Sequence, residues 1–95
     1  MKQILSSLTF AVLISLGSAA SAADCYADYK AKKDNPLRLH YGVIQVSNCD
    51  KGQAQAEIAR RLSASGWTLL EVQSVFGPEG LDQRKGNAGQ FYLRF

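Results

Sequence analysis

The spacing of apolar residues changes several times along the chain, and each change predicts an element. Leu37 to Val46 (LRLHYGVIQV) is β-branched and aromatic in its second half. Ser47-Asn48-Cys49-Asp50 closes it with turn formers, the signature of a strand. Gly42 inside it marks a bulge or a close contact. From Asp50 to Ser65 the period lengthens. Ala54, Ile58 and Leu62 recur every four residues and form the single apolar stripe of a helix. Asp50 is placed to cap that helix with Gln53 reaching back, and Glu57 can pair with Arg61 one turn on. Gly66 stands where a left-handed C-terminal cap is wanted. Trp67 to Phe76 (WTLLEVQSVF) reads as a second strand. Strict alternation puts Leu70, Val72 and Phe76 on one face and Trp67, Leu69 and Val75 on the other. Gly77 to Gly89 reads as a long loop, and Gln90 to Phe95 (QFYLRF) as a third strand. Upstream, Asp24 to Lys33 (DCYADYKAKK) has helix-forming composition, with Asp28 four residues before Lys32 for an ion pair and Asn35-Pro36 as a stop.

These elements predict an α+β fold, a three-stranded, mainly antiparallel sheet in a β-α-β-β order with one packed helix and a short N-terminal helix. The crossover through the main helix makes the first two strands parallel. Strand three can lie outside them or between them. The middle position (order 1-3-2) is preferred, because every neighbouring pair is then antiparallel and parallel pairs are rarely left uncovered. One helix covers one face of such a sheet, so the other face needs a cover from the N-terminal segment or from a second copy.

The first residues follow another logic. Met1-Lys2-Gln3 carries one positive charge, Ile4 to Leu16 is a short apolar stretch, and Gly17 to Ala23 is almost all Gly, Ala and Ser. That sequence of charge, core and small-residue exit is the secretory pattern, and the core is too short for a membrane span. Residues 1–22 are therefore expected to be a cleaved signal peptide, with cleavage before Ala23 or before Asp24. Residues 23–36 form the N-terminal helical segment and 37–95 the β-α-β-β domain. A lipidated Cys25 would need a small residue before it, and Asp24 stands there. The one-Lys leader with its Ala-rich exit reads as bacterial, and the destination as the periplasm. No stable membrane anchor is left after cleavage.

A domain of about 70 residues buries too little surface for comfort and calls for a staple. Cys25 and Cys49 are the chain's 2 cysteines. In an exported protein they predict one structural disulfide, which closes a loop of about 24 residues and is worth about 3 kcal/mol. The 11 Lys and Arg residues against 8 Asp and Glu leave the chain weakly positive, too weakly to point to nucleic acid.

The Tyr-bearing strand, the helix ending in Ser65-Gly66-Trp67-Thr68-Leu69, the second strand, the Gly-rich loop and the closing Phe91-Tyr92-Leu93 together resemble a widespread bacterial family. Its members are small β-α-β-β domains of unknown function, marked by a Gly-Trp-x-Leu step after the helix. The resemblance covers Leu37 to Phe95. It implies a fold and no accepted activity, so no functional residues carry over. Export, the cysteine pair and the long loop depart from the family pattern.

No catalytic, cofactor or metal constellation stands out. His40 is the 1 histidine, with no carboxylate or nucleophile beside it in sequence, and a zinc site needs three or four ligands. Neither Gly77-Pro78-Glu79-Gly80 nor Gly86-Asn87-Ala88-Gly89 has phosphate-loop spacing. The residues offer three functional readings. The first is a non-enzymatic interaction module that forms a homodimer or meets an envelope partner through the open sheet face, with Trp67, Leu69, Tyr41 and Tyr92 as contacts. The second is a binder of an anionic envelope ligand through the basic loop 78–87, with Arg84, Lys85 and Arg94. The remote third is a small hydrolase built on His40.

Overall fold

The computed structural model describes residues 24–95, so the predicted leader lies outside the described residues. The element order is β1 (Cys25–Lys33), β2 (Arg38–Val46), α1 (Lys51–Ser63), β3 (Thr68–Phe76) and α2 (Asp82–Ala88). Short 3₁₀ turns at Pro78–Gly80 and Gly89–Phe91 flank α2. The fold is α+β, with a three-stranded antiparallel sheet of order β2-β1-β3 and α1 packed on one face.

The middle strand is the N-terminal segment. Cys25–Lys33 is a strand and not the predicted helix. Its Ala and Lys residues are good helix formers, but propensity is a weak determinant and burial decides otherwise. Cys25, Ala27, Tyr29 and Ala31 alternate into the core beneath α1, while Tyr26, Asp28, Lys30 and Lys32 point to the opposite face. The expected Asp28–Lys32 pair is therefore not made. Lys32 meets Asp34 at 3.4 Å instead, across the turn that leads into β2. The reasoning that favoured an antiparallel middle strand holds, and β1 occupies the place given to Gln90–Phe95. That C-terminal segment adds one parallel bridge, Tyr92 to Val43, on the outer edge of β2, and Leu93 N–H donates to Val43 C=O at 2.8 Å.

Helix α1 follows its pattern closely. Ala54, Ile58 and Leu62 are fully buried. Asp50 caps the helix by accepting from Gln53 N–H at 3.0 Å. The return bond runs through Asn48: its carboxamide oxygen accepts from Asp50 N–H, and its amide group donates to the Gln53 side chain, both at 2.8 Å. Gly66 takes φ +84°. Gly66 N–H bonds Ser63 C=O and Trp67 N–H bonds Leu62 C=O, the paired bonds of a Schellman cap. Trp67 is thereby turned onto the core.

Strand β3 lies at an edge and carries two register shifts against β1, at Gln73 and at Leu70. The shifts defeat strict alternation. Leu69, Val72 and Val75 all face α1, while Glu71, Ser74 and Phe76 lie opposite Lys30, Asp28 and Tyr26 on the far face. Bulges of this kind also blunt an exposed edge against strand addition. The Cys25–Cys49 disulfide is formed, with Cα atoms 5.6 Å apart, and it ties the start of β1 to the entry of α1.

Candidate functional site

Among the described residues, His40 and Asp28 are buried on opposite faces of the sheet. On the α1 side Tyr29 lies across Gly42, where even a methyl group would strike its hydroxyl and ring. This is the close contact expected at Gly42, and it lets the Tyr29 hydroxyl reach His40 Nε2 at 2.9 Å. Phe91 stacks on the imidazole at 3.7 Å, and Trp67 meets it edge-on at 4.3 Å. His40 Nδ1 has no partner. Burial lowers the His40 pKa to about 4, helped by the positive charges of Arg94 and Lys33. Burial likewise raises Tyr29 to about 12 against the opposing pull of Arg61. The His40 ring thus stays neutral at ordinary pH in an aromatic box. Among the described residues, no carboxylate, Ser or Cys side chain bonds to it.

Asp28 sits in the opposite situation. It accepts from Ser74 Oγ at 2.7 Å, Tyr41 hydroxyl at 2.9 Å and Arg84 Nε at 3.1 Å. Burial opposes its charge, but those three donors and the Arg84 guanidinium outweigh burial and hold it below the usual carboxylate range. Arg84 also donates from Nη1 to Gly80 C=O at 2.7 Å, and its guanidinium lies 3.9 Å over the Phe76 ring. A side chain at Gly80 would meet both. Tyr41, desolvated and bonded to the Asp28 carboxylate, is pushed up to about 12. The network clamps α2 over part of the far face, where Val43 and Ala88 are also buried.

The predicted interaction residues are therefore divided. Trp67 and Leu69 pack against the α1 core. Tyr41 is on the far face, and Tyr92 lies on the β2 edge with Lys85 5.6 Å over its ring. Segment 78–87 is mostly helical, not an open loop, and Arg84 is spent on Asp28. Arg94 turns away from it toward Phe91, with the guanidinium 5.8 Å from the ring centre.

Two of the open surfaces bear on function. On the far face, beyond the part covered by α2, a pocket of about 290 Å³ is lined by Lys30, Leu39, Tyr41 and Leu70, with Ala31 and His40 at its floor. Leu39 is 66% and Leu70 51% exposed. At the end of the sheet, a polar cleft of about 520 Å³ gathers Lys33, Arg38 and Arg94 beside Trp67 and Phe91. Sequence reading missed the exposed Leu39–Leu70 pair, because only the placement of β1 between β2 and β3 brings the two to one uncovered face. It also missed Arg38, which, like the Lys33 of the basic run Lys30/Lys32/Lys33, only the β1–β2 turn brings beside Arg94. Fold and site together define a small disulfide-bridged α+β domain with two candidate binding surfaces. No family model, curated protein or solved structure matches the chain.

Proposed function

We propose that this is an exported, non-enzymatic interaction module of the bacterial periplasm that pairs with a second copy of itself through the uncovered part of the sheet. The leader pattern and the disulfide support the export reading. The observation that carries the pairing is the apolar patch at Leu39, Tyr41 and Leu70, left bare where α2 stops. Lys30 and Glu71 stand directly opposite each other at this patch without forming an ion pair. A patch holding one charge of each sign is self-complementary: a two-fold axis can set Lys30 of one copy against Glu71 of the other while the leucines meet between them. A partner of this kind is more economical than an unrelated one, because it leaves neither charge unpaired.

Sedimentation of the processed protein at micromolar concentration tests this. The protein is expected to run as a dimer, and Leu39→Glu combined with Leu70→Glu to run as a folded monomer. A monomeric parent protein would overturn the proposal.

A further inference from the structure

The second open surface carries a separate inference, independent of self-pairing. Lys33 ends β1, Arg38 begins β2 and Arg94 lies in the C-terminal segment, so three elements deliver cations to one cleft. Like charges brought together raise the energy of the folded chain unless something answers them. Among the described residues, ion pairs are made by Lys32, Arg61 and Arg84, and none by these three; Phe95, which also lines the cleft, gives its backbone oxygen to Arg61 at 2.6 Å. The cleft lining contains no Asp or Glu side chain. Ser65 and Gln90 add neutral hydrogen-bonding groups.

The aromatic walls organise the charges. Lys33 Nζ sits 4.6 Å from the Trp67 ring centre and Arg94 lies over Phe91, so both heads are held at the cleft by cation–π attraction. Phe91 in turn is stacked on buried His40, which fixes the wall from behind.

We infer that the cleft of Lys33, Arg38, Arg94, Trp67 and Phe91 binds a small phosphorylated ligand that carries at least two negative charges. Guanidinium forks match the oxygens of a phosphate group, and a compact multivalent anion is what a cluster of cations without a counter-ion selects. The volume is in the range of small-molecule sites and leaves room for an organic group beyond the phosphate.

The chain has 1 tryptophan, Trp67, and it lines the cleft, so its fluorescence reports occupancy directly. Pyrophosphate titrated into the processed, disulfide-intact protein at low salt is expected to give a saturable change in Trp67 emission, with matching heat in calorimetry. Lys33→Gln, Arg38→Gln and Arg94→Gln are each expected to weaken binding about tenfold, the scale of one charge-assisted hydrogen bond. Lys51→Gln, at the start of α1, should leave it unchanged. Circular dichroism identifies any variant that fails to fold, and Arg38, exposed at the start of β2, keeps the test open if Arg94→Gln does fail. A second arm uses vesicles of phosphatidylglycerol against vesicles of phosphatidylcholine alone. Binding to the anionic vesicles without binding to pyrophosphate would make a lipid surface the occupant and overturn the inference. So would the absence of a saturable signal, or an affinity in all three variants equal to that of the parent protein.

Discussion

His40 and Asp28 are buried to nearly the same degree, 8% and 6% exposed, on opposite faces of one sheet, yet they end in opposite charge states. His40 has one hydrogen-bond partner and an orphaned nitrogen, with cations nearby, so burial wins and the ring is neutral. Asp28 has three donors, one of them charged, so its partners win and the carboxylate persists. Depth alone does not fix ionisation; the inventory of partners does. The same contrast separates the two helices. α1 is held by apolar side chains from both sides of its contact, α2 by a charge network with few buried apolar atoms of its own.

The contrast can be broken most heavily at α1. Ile58→Ala empties a fully buried site and is expected to cost about 2–5 kcal/mol, read as a lower urea midpoint for the whole domain. Asp28→Asn keeps the shape of the network and removes its charge, leaving Arg84 without its carboxylate. Its expected cost is smaller, about 1–3 kcal/mol, because Arg84 is partly exposed and can turn to water. Hydrogen exchange sharpens the comparison: amides of Asp82–Ala88 should lose protection in Asp28→Asn while those of α1 keep theirs.

The pH dependence is the finest instrument. The unfolded chain protonates His40 near its ordinary 6.5, whereas the folded chain waits until about 4. Stability should therefore fall as pH drops from 6.5 toward 4, and His40→Phe should flatten that window. Asp28 is shifted in the same direction from 3.8, so its contribution is lost only below about 4, a window that survives in His40→Phe and disappears in Asp28→Asn. Denaturant midpoints measured at half-unit pH steps separate the two.

Elements with long, unbroken periodicity were legible in the residues: β2, α1 with its caps, and the extent of β3. The disulfide followed from the cysteine count and the leader. Cys25–Lys33 was misread because its alternation is carried by Ala and Cys, whose small side chains look neutral until α1 is seen packed close above them. Helix α2 has no apolar period to read: its sequence, DQRKGNA, buries only Ala88 and is anchored by Arg84, a contact 56 residues away from Asp28 in the chain. QFYLRF alternates like a strand, yet its ladder with β2 is the single Tyr92–Val43 bridge, because Gly89–Phe91 turns to stack Phe91 on His40. Asp28 looked like half of a helix pair for the same reason that β1 looked like a helix.

The bridge from Cys25 to Cys49 also sets how the domain would respond to tension. A pull on the segment preceding Cys25 passes through the sulfur–sulfur bond straight to the entry of α1. The whole β1–β2 hairpin, lying between the two cysteines, is then a slack loop outside the line of force. Stretching should peel α1 and β3 away first and leave the hairpin intact, and reducing the bridge would put the central strand itself under strain.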